Sequence, residues 1–358
     1  MKFYMPTKIF SESNCVKKHS RELASLGHRA LIVTGRHSSR INGALSDVTD
    51  ALAAENRTWV IFDEIEENPS TETVMKAAAA GLKEKNDFVI GIGGGSPMDA
   101  SKAIAMMIAN PDRDESILYE NIELDHLPVA AVPTTAGTGS EVTPWSILTI
   151  HSQRTKKSIS HKIFPELALM DSKYLMTMSR HTLVSTAVDT LAHLTESYLV
   201  QSADKYSRIF SIEGLRLWGQ FRKHLLEDQM TAVDYDTMFE ACTMGGIAIA
   251  HTGTGFPHAL SYMMTYETGA SHGVSCGYTL GGFVKYYENK NLQKDVIDAL
   301  GFETIQDFCR YLEQLIHKPE LPDGLWAKDV ASIIQNPKRM ASYPFEMNEE
   351  IMTKYLDE

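Results

Sequence analysis

The chain has 358 residues, with 34 Lys and Arg against 46 Asp and Glu, for a formal net charge of −12. That charge argues against nucleic acid or an anionic membrane surface as a partner and favours solubility. The length exceeds what one small core needs, so two domains are expected, and a 43% hydrophobic, 22% charged composition is that of an ordinary globular protein.

The opening MKFYMPTKIF lacks the long apolar core of a signal peptide and reads as a strand. No run approaches the roughly 20 apolar residues that span a bilayer. Cys15, Cys242, Cys276 and Cys309 form no CxxC pair, so a reduced, cytoplasmic protein is expected. RALIVTG (29–35), TWVIFDE (58–64), DFVIGIG (87–93) and LPVAAVP (127–133) then read as strands. Their continuous apolar character suits a parallel sheet buried on both faces. Helical patterns lie between them at about 40–55, 70–84 and 97–109. Such alternation predicts an open α/β sheet, with ligands at the carboxyl ends of its strands. From about Ser179 long helical patterns replace it. The expected division is an α/β dinucleotide-binding, Rossmann-like domain over 1–178 and an all-α domain over 179–358.

Two glycine-rich loops follow strands. In GIGGGSPMDASKAIAMM (91–107), Gly93, Gly94 and Gly95 let a ligand approach the backbone. Ser96 suits an N-cap, Pro97 the first helical position, and Asp99 the first turn. A helix opening after such a loop can bind phosphate, although a lone GGGS is equally a tight turn without a ligand. The second loop, VPTTAGTGSEVTPWS (132–146), gathers Thr134, Thr135, Gly137, Thr138, Gly139 and Ser140; Glu141 is expected to bond loop amides. Two such loops suggest a dinucleotide. In the first strand–helix turn, VTGRHSSRIN (33–42), no carboxylate occurs between Leu31 and Leu45. Gly35 leaves space there, and Arg36, Ser38, Ser39 and Arg40 can meet a 2′-phosphate. NADP(H) is therefore favoured over NAD(H), an ordinary solvated turn being the alternative.

AVDTLAHLTESYL (187–199) places Asp189 and His193 one helical turn apart, on a face shared with Ser185 and Glu196. A solvated face is the plain reading. Yet no Lys or Arg occurs from His181 through Asp204, and small side chains surround the pair. TGTGFPHALSYMM (252–264) adds His258, and the Gly- and Ser-rich turn ETGASHGVSCG (267–277) adds His272. One Asp and three His suit Fe(II), Zn(II), Co or Mn rather than Ca or Mg. Cys276 is too generic to enlist. His19, His28, His126 and His317 are read as structural.

Together these segments resemble the iron-containing (group III) alcohol dehydrogenases, and most closely their NADP-using members. The likeness covers nearly the whole chain, through FYMPTKIF, ENPS (67–70), GIGGGSPMDASKA, PTTAGTGSEVTPWSIL, AVDTLAHLTESYL, GTGFPHAL and the SHG turn. It implies a dehydroquinate synthase-like architecture with the active site in a cleft between two domains. It implies Asp189, His193, His258 and His272 as ligands of Fe(II), with Zn(II) possible. Gly94, Gly95, Ser96 and Asp99 are implied on the pyrophosphate side, Thr134, Thr135 and Ser140 along the cofactor, and Lys157 at its ribose. Many members carry a second histidine where this chain has Tyr262, which leaves that tyrosine as a proton donor or, preferably, a packing surface against the nicotinamide. The family pairs its opening strand across a homodimer.

The expected activity is reversible hydride transfer between NAD(P)H and a small primary alcohol or its aldehyde, with the metal acting as a Lewis acid. Trp145, Phe256, Tyr262 and Met263 are candidate walls of an apolar pocket. The alternatives are a polyol oxidoreductase, a dehydroquinate-synthase-like lyase, a metal-dependent hydrolase and a non-catalytic nucleotide sensor. The four-ligand set speaks against the lyase, and the two glycine-rich loops leave the hydrolase incomplete.

Overall fold

The computed structural model describes residues 3–153 and 155–356. The chain divides into two compact units. One is Met5–Thr177; the other takes the chain from Met178 onward, together with Phe3 and Tyr4.

The first unit holds strands β1 (Lys8–Ser11), β2 (Arg29–Thr34), β3 (Thr58–Phe62), β4 (Phe88–Gly93), β5 (Val129–Pro133), β6 (Ile147–Ile150), β7 (Thr155–Ser158) and β8 (Leu167–Met170). Its helices are α1 (Cys15–Lys18), α2 (Ser20–Ala24), α3 (Ser38–Ile41), α4 (Ala44–Ala54), α5 (Thr71–Lys83) and α6 (Gly95–Ala109). Six strands form one parallel sheet in the order β1-β8-β5-β4-β2-β3, and β6 and β7 form a separate antiparallel hairpin. The four strands read from apolar runs are β2 to β5. The hairpin and β8 were not anticipated. TKKS, the sequence of β7, carries no apolar alternation and is half exposed.

Strand alternation splits the sheet's side chains between two cores. Leu31, Val33, Val89 and Val129 pack with Val74, Ala103, Ile104 and Met107 of α5 and α6. Ala30, Ile32, Phe88, Ile90 and Val132 pack on the other face with Leu45, Val48 and Leu52 of α4. Each fully buried Leu, Ile or Phe contributes about 1.5–3 kcal/mol relative to exposure. With both faces covered, these strands carry no polar alternation, which is why they read as uninterrupted apolar runs.

The second unit contains α7 (Arg180–Leu199), α8 (Lys205–Glu227), α9 (Ala232–Thr252), α10 (Phe256–Thr268), α11 (His272–Lys285), α12 (Lys290–Leu300), α13 (Ile305–Leu315), α14 (Leu325–Ile334), α15 (Pro337–Met340) and α16 (Glu349–Thr353). No strand occurs among its described residues. Capping explains several starts. Ser179 accepts from the Thr182 N–H at the head of α7, and Asp204–Ser207, Thr231–Asp234 and Thr304–Asp307 form reciprocal capping boxes. The expected turn at His272 is instead the first residue of α11. Phe3 and Tyr4 dock on this unit: the Phe3 ring stacks on His251 at 4.7 Å and on Phe210 at 5.5 Å, and the Tyr4 N–H donates to His251 Nε2 at 3.0 Å. Among the described residues, no helix is long and apolar enough to cross a membrane. All four cysteines are buried, and none forms a disulfide.

Candidate functional site

Chemistry-bearing residues gather in two places, one in each unit. In the α/β unit, β2, β4 and β5 end side by side: Thr34 registers with Ile92, and Gly93 with Pro133. The turn after Thr34 and both glycine-rich loops therefore share one edge of the sheet. The two strands that follow β2 in the chain lie on opposite sides of it. Open α/β sheets bind their ligands at such a reversal.

The two loops touch. A Cβ on Gly94 would lie 3.0 Å from Thr135 Oγ1, and one on Gly95 would lie 2.6 Å from Thr138 Cγ2. The Thr134 N–H donates to the Gly93 carbonyl at 2.8 Å. Side chains at 94 and 95 would push the loops apart. Helix α6 begins at Gly95 with Gly94 as its cap residue, earlier than the cap expected at Ser96, and no side chain caps it. The Ser96 hydroxyl instead accepts from the Asn68 N–H at 3.2 Å. The first N–H groups of α6 thus keep the donor capacity that suits a phosphate.

Asp99 and Ser140, expected along the cofactor, are engaged within the protein. The Asp99 carboxylate accepts from the Ser140 hydroxyl at 2.5 Å and the Ile147 N–H at 2.9 Å. Lys102, which the sequence reading passed over, is completely buried and donates to Ser140 Oγ and the Trp145 carbonyl, each at 2.7 Å. It also lies 3.7 Å from Asp99. Burial pulls its ammonium down to about 8 against the opposing pull of Asp99 and Glu141. Glu141 does not bond loop amides: both its carboxylate oxygens are buried without a hydrogen-bond partner. Nearby amides are already committed, Ser140 to Thr138 Oγ1 and Val142 to the Gly139 carbonyl. Burial pushes the Glu141 carboxyl up to about 7.

In the turn after β2, Gly35 is half-buried while Arg36 and Ser38 are exposed. Ser39 and Arg40 are withdrawn from the expected phosphate-binding set. Ser39 is buried and accepts from Thr34 Oγ1 at 2.8 Å, and Arg40 pairs with Asp63 at 2.8 Å. On β7, Lys156 is committed to Asn68 Oδ1 at 2.7 Å. Lys157 is exposed, with its ammonium 4.9 Å from the centre of the Tyr119 ring.

In the helical unit, the polar face of α7 is not solvated. Ser185, Asp189, His193 and Glu196 are all buried. Asp189 Oδ1 faces three imidazoles: His258 Nε2 at 3.3 Å, His272 Nε2 at 3.7 Å and His193 Nε2 at 3.8 Å. Asp189 Oδ1 and His258 Nε2 are buried without a hydrogen-bond partner. Orphaned donor atoms converging at these separations fit a metal ion. Burial alone would raise the Asp189 carboxyl, but His193, His272 and His258 outweigh it and hold it well below the usual carboxylate range.

Glu196 completes the cluster, and the sequence reading gave it no role. Its Oε1 lies 2.5 Å from His258 Nδ1, and Oε2 accepts the Gly255 N–H. The first contact fixes the His258 ring with Nε2 turned toward Asp189. The signal was present, since Glu196 continues the Asp189–His193 face of α7 one turn on. His272 Nδ1 meets Ser261 Oγ at 3.3 Å. Gly273 lets α11 start against α7: a Cβ there would fall 1.7 Å from the Ser185 carbonyl oxygen. Tyr262 stacks on His272, with centroids 5.8 Å apart and planes at 4°, and the Arg339 guanidinium lies over the Tyr262 ring at 5.6 Å from its centre. Phe256 is fully buried against Tyr343 and belongs to the core rather than to a pocket wall. Cys276, set aside in the sequence, reaches 3.8 Å from His272 Nε2.

Two outcomes follow from these contacts. Replacing Lys102 with Ala removes the cation from a buried network and should lower unfolding free energy by about 3 kcal/mol in urea titrations; a loss under about 1 kcal/mol would show that the network is not bracing the loops. Glu196→Gln should weaken Zn(II) binding about 10–100-fold by competitive chelator titration, with little change in melting temperature of the metal-free protein.

Comparison with known proteins points to one family. The family profile described as iron-containing alcohol dehydrogenase matches residues 6–172, and that of the family's C-terminal region matches residues 183–346. The bifunctional aldehyde-alcohol dehydrogenase of Escherichia coli is 27% identical over 309 residues, which cover 81% of this chain but only 34% of that larger protein. The long-chain primary alcohol dehydrogenase of Thermoanaerobacter ethanolicus is 28% identical over 262 residues, covering 72% of this chain and 66% of its own. The crystal structure of an iron-containing alcohol dehydrogenase from Thermotoga maritima superimposes with a TM-score of 0.91 at 35% identity, covering 99% of this chain and 98% of that one. With the fold, the loops and the carboxylate–imidazole cluster all in place, the chain belongs to the iron-containing alcohol dehydrogenase family.

Proposed function

We propose that the protein is a metal-dependent alcohol dehydrogenase and aldehyde reductase that transfers hydride reversibly between NAD(P)H and a small primary alcohol or its aldehyde. The observation that carries this reading is the convergence of three imidazoles on the orphaned Asp189 carboxylate oxygen, in a chain that also carries paired glycine-rich loops. Asp189, His193, His258 and His272 would hold Fe(II) or Zn(II), which supplies Lewis-acid polarisation of the substrate oxygen. The protein's own part is orientation. Glu196 holds the His258 ring, and Gly273 sets the approach of α11 to α7. Tyr262 lies parallel to His272, an arrangement that supports a packing role over a proton-donating one.

In the α/β unit, Gly94, Gly95 and Ser96 would receive the pyrophosphate at the head of α6, and Thr134 and Thr135 would line the cofactor. Asp99 and Ser140 would act through the brace they make with Lys102. Exposed Lys157 would reach the ribose, while Lys156 holds Asn68. NADP(H) is favoured over NAD(H), because Gly35 and exposed Arg36 and Ser38 remain open to a 2′-phosphate.

Metal-loaded, anaerobic protein should oxidise NADPH with butyraldehyde faster than NADH, and metal-free protein should not turn over. Arg36→Ala should lower kcat/KM for NADPH about tenfold, roughly one charge-assisted contact, and leave NADH unchanged; equal losses with both cofactors would remove the NADP preference. Asp189→Ala should lose metal and turnover while keeping its circular dichroism spectrum, and full activity in that variant would overturn the metal assignment.

A cytoplasmic homodimer completes the proposal. β1 is an edge strand, hydrogen-bonded on one side to β8, so its other side is available to a second copy. Light scattering should give twice the 39.9 kDa chain mass, and a monomer would refute the pairing.

A further inference from the structure

We propose that Cys276 supplies a sulfur donor to the ion held by Asp189, His193, His258 and His272, a fifth donor that makes the centre a mixed carboxylate–imidazole–thiolate site. This rests on the metal reading above. Cys276 follows His272 by four residues on α11, so both side chains leave one face of the helix. The thiol is completely buried. One donor atom each from Asp189, His258, His272 and Cys276 lies within 4.8 Å of every other. Around a five-coordinate ion, bonds of about 2.0–2.1 Å to nitrogen and about 2.3 Å to sulfur put neighbouring donors about 3–4 Å apart. The separations here are 3.3 Å from Asp189 to His258, 3.7 Å from Asp189 to His272 and 3.8 Å from His272 to the sulfur. With every pair within 4.8 Å, an ion needs to draw the farthest of these atoms together by about an ångström or less.

A buried cysteine is ordinarily a small apolar filler. Cys15 shows that alternative, with its thiol 3.3 Å from the Phe10 carbonyl oxygen. What separates Cys276 from filler is its company: Asp189 Oδ1 and His258 Nε2, both buried and unpartnered, point into the same small volume. Ligation exchanges the S–H bond for a sulfur–metal bond and releases the proton to solvent, with no change in oxidation state. A thiolate donor shifts preference toward Zn(II) and Co(II) and away from harder ions such as Mn(II).

The test is a titration of metal-free protein with Co(II) alone, followed by absorption. Wild-type protein should show a near-ultraviolet thiolate-to-cobalt band. Cys276→Ser and Cys276→Ala should each lose that band while keeping visible cobalt absorption. Bound cobalt without the band in wild type, or a band that survives in both variants, overturns the inference and leaves the metal centre standing. Asp189→Ala separates the two levels: cobalt that fails to bind wild type, or binds this variant equally well, removes the metal reading and this inference with it. Should either cysteine variant misfold by circular dichroism, X-ray absorption of the cobalt-loaded wild type decides. A sulfur scatterer at about 2.3 Å supports ligation, and a shell of nitrogen and oxygen alone refutes it.

Discussion

A carboxylate placed in the middle of a helical core is the constraint on which the helical unit depends. Asp189 is 4% exposed, and its Oδ1 has no hydrogen-bond partner. An isolated buried carboxylate is far too costly to persist uncompensated. Three imidazoles surround it, and a further carboxylate, Glu196, sits behind one of them. The helices α7, α10 and α11 are arranged so that these groups meet. Small residues make that meeting possible. Gly273 leaves no side chain between α11 and the α7 backbone, and Gly255 offers its N–H to Glu196.

The α/β unit solves a related problem in a different way. Its second glycine-rich loop is made of glycines and small hydroxyls and is largely buried, with Thr134, Ala136 and Ser140 all inside the protein. Lys102 provides the support from beneath. A single buried ammonium gathers Asp99, Ser140 and the Trp145 carbonyl, tying helix α6 to the second loop. Both units thus bury an ionic group that ties separate elements together.

Much of this was legible in the residues. β2 to β5 were readable because strands buried on both faces are uniformly apolar. The helices from 180 onward were readable from period and caps. The four histidine and aspartate positions stood out because long charged side chains were missing around them. What escaped depends on three-dimensional company. Hairpin strand β7 is made of TKKS, which has no strand-like pattern of its own. Lys102 carries no sign of burial in its own segment, because its partners Ser140 and Trp145 lie 38 and 43 residues further along the chain. Ser39 and Arg40 lay in an open-looking turn, yet their neighbours Thr34 and Asp63 had already claimed them. His272 and Cys276 fell in a segment whose glycines and serines suggested a turn. As a helix it carries both side chains on one face.

The docking of Phe3 and Tyr4 on the helical unit bears on how the protein is made. The chain leaves that unit after Tyr4 and does not return until Met178. During translation the α/β unit can therefore close while the surface that receives Phe3, built from Phe210 and His251, is still unsynthesised. Phe3 and Tyr4 leave the ribosome well before the helices they dock on and are thus late to find their contacts. Early folding then falls to the parallel sheet, and the opening segment joins only once α8 and α9 have emerged.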